Sequence, residues 1–83
     1  MTVFKREFNF NPHLKKTIAQ NVIKYRTLAG VSKEQLAVDI DMTYDYLRRF
    51  ESQLGKEGIS LEKLYKISVV LNVSMDKFFE ENE

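Results

Sequence analysis

Residues that favour the start of a helix recur at short intervals along this 83-residue chain and divide it into brief helical segments. Their side chains accept hydrogen bonds from the free backbone amides of a first helical turn, and proline fits that turn because it needs no such partner. These start positions are Asn11 with Pro12, Ser32, Thr43, Ser60 and Ser74. Residues suited to a left-handed or turn conformation follow at Gly30, Asp41 and Asn72. The pattern predicts an all-α fold of five helices.

Apolar residues recur at helical spacing between these start and stop positions. The first predicted helix covers about residues 12–29, the second ends near Ile40, the third covers 43–52, and two more follow Ser60 and Ser74. The side chains expected to face the core are those of Leu14, Ile18, Val22, Tyr25, Leu36, Ala37, Ile40, Leu47, Phe50, Leu61, Leu64, Ile67, Leu71, Met75, Phe78 and Phe79. The sequence therefore predicts one helical domain over residues 12–79.

The two ends of the chain lie outside this helical pattern. Residues 1–11 are interpreted as an N-terminal arm. Phe4, Phe8 and Phe10 are separated by even numbers of positions, so in a short strand they could lie on one face. The same segment could instead pack on the core or on a second subunit, and the sequence does not choose between these. Residues 80–83 are expected to form a frayed tail.

Composition excludes several classes of function. The chain has no cysteine and a single histidine, His13, so neither a disulfide nor a thiolate or histidine-rich metal site is expected. No phosphate-binding glycine loop and no motif for a nucleophilic serine is present, and we expect neither an enzyme nor a cofactor. No apolar run reaches the length of a membrane span, and charged residues interrupt the N-terminus, so a cytoplasmic location is expected.

The segment SKEQLAVDIDMTYDYLRRFE, residues 32–51, resembles the helix-turn-helix of the Cro/CI-type, or XRE, family of repressors. The residues that carry the resemblance are Leu36, Ala37, Met42, Thr43, Leu47, Phe50 and Glu51. The similarity extends over about residues 14–79. The sequence departs from the family pattern at Asp41, which takes the place of the usual turn glycine, and at Lys33, which replaces a common glutamine. The loop 52–60 is also longer and less basic than usual.

This resemblance implies a lambda-repressor-like DNA-binding domain and a sequence-specific transcriptional regulator, with repression as the expected mode of action. It places the third helix in the major groove of double-stranded DNA, with Tyr44, Asp45, Arg48 and Arg49 as base-reading residues. The expected phosphate contacts are Lys33 and Thr43. The resemblance also implies a structural ion pair between Arg26 and Glu51, which joins the first helix to the third.

One short recognition helix offers few contacts, so a homodimer on a two-fold site is expected. The apolar candidates for its interface are Val69, Val70, Phe78 and Phe79 near the C-terminus and Phe4, Phe8 and Phe10 in the arm.

The charge balance keeps an alternative open. The net charge of the chain is only +1. Residues 1–30 hold six basic residues and one acidic residue, and the rest of the chain carries more acidic than basic residues. DNA-binding proteins usually carry a basic excess. The alternative is a protein-interaction module on the same fold, either an antirepressor or the partner of another regulator. The outward residues of the third helix would also suit an ordinary solvated face.

Overall fold

The computed structural model describes residues 12–52 and 57–81, and all its regular structure within those ranges is helical. The α-helices are α1 (Pro12–Ala29), α2 (Lys33–Asp39), α3 (Tyr44–Ser52) and α4 (Leu61–Leu71). The last element, Met75–Phe79, is a 3-10 helix. The predicted all-α class is confirmed. Of the five predicted helices, four are α-helices, and the fifth is a 3-10 helix of only five residues. The N-terminal arm 1–11 lies outside the described residues.

Three of the α-helices end in the same backbone motif. The residues after α1, α2 and α4 that take a positive φ are Gly30 at 70°, Asp41 at 57° and Asn72 at 55°. In each case the next residue donates its amide to a carbonyl near the end of the helix, as Met42 N does to Ala37 O at 2.9 Å. This is the arrangement that closes a helix through one left-handed residue. The stop positions predicted from the sequence are therefore confirmed.

The helix starts follow the sequence as well, with two differences. The hydroxyls of Ser32, Thr43 and Ser60 each accept a hydrogen bond from the backbone amide three residues on, at 3.1–3.2 Å. The side chain of Gln35, however, donates to Asp39 at 2.8 Å, so it does not complete a reciprocal capping box. Ser74 occupies the N-cap position of the 3-10 helix, as predicted, but its side chain makes no capping hydrogen bond there.

One hydrophobic core joins all the helices. Its fully or nearly fully buried apolar members are Ile18, Ala19, Val22, Leu36, Ala37, Ile40, Leu47, Phe50, Leu64, Ile67, Leu71 and Phe78. Phe78 packs edge-on against Tyr25, with ring centroids 6.1 Å apart. Burial of Phe78 also removes it as a candidate for a dimer interface, contrary to the expectation from sequence.

Two residues expected in the core are instead exposed. Leu61 is 72% exposed because it begins α4 at the edge of the domain, where it borders a surface groove with Leu14 and Phe79. Phe79 is 43% exposed. In a 3-10 helix, residues three apart share a face, so Met75 and Phe78 point inward and the next residue is turned about 120° away.

A buried amide fixes the end of the described chain onto α1. Asn21 donates from its Nδ2 to the carbonyl oxygens of Phe78 and Glu80, both at 2.8 Å. Because a buried polar group needs a partner, these two bonds specify where the C-terminal segment lies against α1. Within residues 12–52 and 57–81, no helix is long and apolar enough to cross a membrane, and no group of acids and histidines is placed to hold a metal ion.

Candidate nucleic-acid interface

The turn between α2 and α3 is held from outside by a lysine of α4. Lys63 donates from its Nζ to the carbonyl oxygens of Ile40 and Asp41, at 2.9 and 2.8 Å. These carbonyls lie at the C-terminal end of α2, where free acceptors and the helix dipole favour a cation. The turn is therefore fixed both by its own backbone hydrogen bonds and by α4.

One side of α3 is anchored in the domain. Leu47 and Phe50 are buried in the core, and Glu51 beside them is 3% exposed. Arg26 of α1 donates from Nε and Nη2 to the two carboxylate oxygens of Glu51, both at 2.9 Å, and from Nη1 to the carbonyl of Val31 at 3.0 Å. A buried carboxylate is tolerated only when such bonds satisfy it. The pair implied by the resemblance is present, and it fixes α3 relative to α1.

The solvent-facing part of α3 carries the four residues expected to read bases. Tyr44, Asp45 and Arg48 are exposed, and Arg49 is partly exposed. On the helix, Asp45 and Arg49 lie opposite the buried residues, whereas Tyr44 and Arg48 lie at the edge of the buried side. Thr43 directly precedes this face, and its hydroxyl accepts from the amide of Tyr46 at 3.2 Å. Lys33 begins α2 and is partly exposed.

The two arginines of this face are bound to acids of the same molecule. Asp45 accepts from Arg48 Nη2 at 2.9 Å and from Arg49 Nε at 3.1 Å. The hydrogen bond from Arg48 contributes most to lowering the pKa of Asp45 below its ordinary value, with the charge of Arg49 acting in the same direction. Arg49 Nη1 also donates to Glu57 at 3.3 Å. The two acids therefore offset the charges of both arginines.

Two residues that the sequence analysis did not single out complete this surface. Tyr46 donates its hydroxyl to the carbonyl of Gly58, and the guanidinium of Arg49 lies over its ring, 5.6 Å from the centroid. Glu57 lies in the connection after α3, eight positions beyond Arg49. No spacing rule of a helix or a turn relates residues so far apart across a loop, so the sequence held no signal for this pair.

The profile of a family described as Helix-turn-helix matches residues 22–78, which is more than half of the chain. The chain belongs to the XRE-type helix-turn-helix family. This confirms the resemblance carried by residues 32–51.

Relatives and solved structures agree with this membership. The helix-turn-helix chain is 35% identical over 63 residues to an uncharacterised HTH-type transcriptional regulator of Rickettsia prowazekii, covering 76% of this chain and 47% of the relative. The chain thus spans about half the length of that curated relative. It is similar to the N-terminal DNA-binding domain of SinR from Bacillus subtilis, with a TM-score of 0.69, 31% identity, and coverage of 82% of this chain and 97% of that one. It is also similar to a crystal structure of SinR, the master regulator for biofilm formation, in complex with DNA, with a TM-score of 0.66, 32% identity, and coverage of 76% and 98%.

Within the helix-turn-helix unit, the surface of α3 therefore combines a buried, ion-paired inner side with an outer side of hydrogen-bonding groups. A phenol, a carboxylate and two guanidiniums are the groups that the outer side offers. Such groups match the donors and acceptors that base edges present in the major groove.

Proposed function

We propose that this chain is a sequence-specific DNA-binding transcriptional regulator, acting as a repressor, that places α3 in the major groove. The observation that carries the proposal is the division of α3 into two sides. Leu47, Phe50 and Glu51 tie its inner side to the core, while its outer side projects exposed hydrogen-bonding groups. A rigidly held helix with a polar outer face is what direct reading of base edges requires.

Each outer residue has a chemical match in the groove. Arg49 would donate to O6 and N7 of a guanine, and Asp45 would accept from N4 of a cytosine. The oxygens of Asp45 already accept from two arginines, but a carboxylate has about four lone-pair sites and retains room for a base. Tyr44 would contact a thymine methyl or a phosphate, and Arg48 a base or the backbone.

Phosphate contacts would come from the helix N-termini and from Lys33. A groove of about 340 Å³ lies beside the starts of both α3 and α4, and the capping residues Thr43 and Ser60 border it together with Lys63. Backbone amides at a helix start attract phosphate oxygens. Thr43 would therefore position the DNA backbone at this groove, and Lys33 would do so at the start of α2.

A homodimer on a two-fold DNA site would double these contacts. Among the C-terminal candidates for its interface, Val69 and Phe79 are exposed and Val70 is half-buried. The complex of SinR with DNA supports DNA as the partner of this fold, at 32% identity.

The test is selection of bound duplexes from a random DNA pool by the wild-type chain, by Arg49→Ala and by Lys66→Ala. Lys66 is a cation of α4 that pairs with Glu62, so its loss controls for charge away from α3. We expect a two-fold-symmetric motif that Arg49→Ala relaxes at particular positions and Lys66→Ala leaves unchanged. Absence of any enriched motif at low salt would overturn the proposal and favour the protein-interaction alternative.

A further inference from the structure

We propose that Glu57, together with Asp45, tethers Arg49 so that its guanidinium is withheld from phosphate, and that this makes Glu57 a specificity-determining residue of the α3 surface. The inference rests on the proposed function, since it concerns how that function discriminates between DNA sequences. It assigns a role to the connection after α3, which does not itself belong to the α2–turn–α3 unit.

The guanidinium of Arg49 is held from three sides. Asp45 accepts from Nε at 3.1 Å, Glu57 accepts from Nη1 at 3.3 Å, and the ring of Tyr46 lies against it at 5.6 Å. A guanidinium has five N–H donors, and within the described residues Nη2 makes no hydrogen bond. The tether therefore restricts the orientation of Arg49 and leaves donors available for a base.

Glu57 is itself placed by a second contact between α3 and its connection. The hydroxyl of Tyr46 donates to the carbonyl of Gly58, the residue directly after Glu57. The side chains of Arg49 and Glu57 are only 39% and 30% exposed, so water screens their interaction less than it would screen an open surface pair. One tyrosine thus supports both partners, by its ring and by its hydroxyl.

The charge balance of this cluster favours selectivity over affinity. Arg48 and Arg49 are offset by Asp45 and Glu57, which leaves the four side chains with no net charge. Attraction between cations and phosphates is the same for every DNA sequence and supplies nearly all non-specific binding. A neutral cluster loses much of this attraction to phosphates, whereas Arg49 can still form hydrogen bonds with a guanine edge. The tether should therefore weaken binding to random DNA more than binding to a selected site.

The test compares Glu57→Gln with the wild-type chain on two duplexes of equal length, one carrying the selected motif and one of random sequence. Dissociation constants are measured at several salt concentrations. Loss of the carboxylate frees Arg49 for one added phosphate contact. Random-duplex binding should then tighten by roughly five- to ten-fold at 0.1 M salt, and its logarithmic salt slope should steepen by about 0.9. The selected duplex should change by less than about two-fold, because Arg49 already has its base partner there.

Two further variants separate the tether from charge alone. Glu62→Gln removes one carboxylate from a pair with Lys66 on α4 and should leave the ratio of the two dissociation constants unchanged. Tyr46→Phe keeps the ring but removes the bond to Gly58. Like Glu57→Gln, it should lower the ratio of the random-duplex dissociation constant to the selected-duplex dissociation constant, by a smaller factor.

The outcomes distinguish the tether from the function it rests on. A wild-type chain that binds both duplexes equally would overturn the proposed function and the tether with it. If the wild-type chain prefers the selected duplex, but Glu57→Gln tightens both duplexes by the same factor or changes neither, the tether proposal is wrong and the proposed function stands.

Discussion

Arg26 and Glu51 are joined by two parallel hydrogen bonds of 2.9 Å across 25 positions of sequence, and this pair fixes α3 against α1. The carboxylate is almost fully buried and the guanidinium largely so. Removal of one partner leaves the other as an unpaired buried charge. Arg26→Ala should therefore lower the free energy of unfolding by roughly 3–5 kcal/mol. Urea denaturation measures this, with Lys66→Ala as the control for an exposed pair, where a loss of about 1 kcal/mol or less is expected. Equal losses in the two variants would contradict the role given to the buried pair.

Asp41 adopts a left-handed backbone at φ 57°, a conformation that costs a residue with a Cβ atom more than it costs glycine. Asp41→Gly should raise the free energy of unfolding by about 1 kcal/mol. The matched control is Gly30→Ala at φ 70°, where an added Cβ meets no atom within 4 Å, so only backbone strain changes. That variant should lose about 1 kcal/mol. Thermal unfolding of both variants measures the two changes, and a destabilised Asp41→Gly would show that the aspartate side chain contributes more than its backbone costs.

Lys63 stabilises the turn of the helix-turn-helix through the carbonyls of Ile40 and Asp41. Lys63→Met retains most of the side chain's length and removes both hydrogen bonds. We expect the free energy of unfolding to fall by about 1–2 kcal/mol, and amide exchange of Asp41 and Met42 to accelerate. Lys66→Met, three positions along the same helix, should leave exchange in the turn unchanged. Unaltered exchange at the turn in Lys63→Met would remove Lys63 from this role.

The pKa of Asp45 gives a prediction that depends on pH. The hydrogen bond from Arg48 and the charge of Arg49 lower this pKa in the folded chain, so the folded state favours the ionised carboxyl. The resulting stabilisation is present above the ordinary pKa of an aspartate and is lost as the pH falls through the lowered value. Carboxyl-carbon NMR titration should show a pKa below the ordinary value in the wild-type chain and a higher one in Arg48→Ala. The same pKa in both would mean that Arg48 does not hold Asp45 in solution.

Local features of the fold were predictable because they depend on residues a few positions apart. The caps at Ser32, Thr43 and Ser60 and the left-handed ends at Asp41 and Asn72 follow from side-chain chemistry within one helical turn. The 3-10 character of Met75–Phe79 did not follow, because a segment of five residues is too short for periodicity to separate it from an α-helix.

Contacts across long stretches of sequence were not predictable in this way. Lys63 reaches carbonyl oxygens more than twenty positions earlier, and Glu57 reaches Arg49 across a loop. Every residue has a backbone carbonyl, so a sequence does not indicate which carbonyl will accept a hydrogen bond. A loop likewise does not fix which acidic residue approaches which basic residue. The pair of Arg26 and Glu51 was anticipated only through the resemblance to a family, since no spacing rule relates the two positions.

The proposed function requires that Arg49 contact the N7 edge of a guanine in the major groove. The most direct measurement replaces each guanine of the selected site in turn with 7-deazaguanine, which lacks the N7 acceptor, and determines the dissociation constants of the wild-type chain and of Arg49→Ala. Replacement of one particular guanine in each half-site should cost the wild-type chain roughly 1–3 kcal/mol of binding free energy. The same replacement should cost Arg49→Ala almost nothing. Equal losses for the two proteins at every guanine would contradict base reading by Arg49.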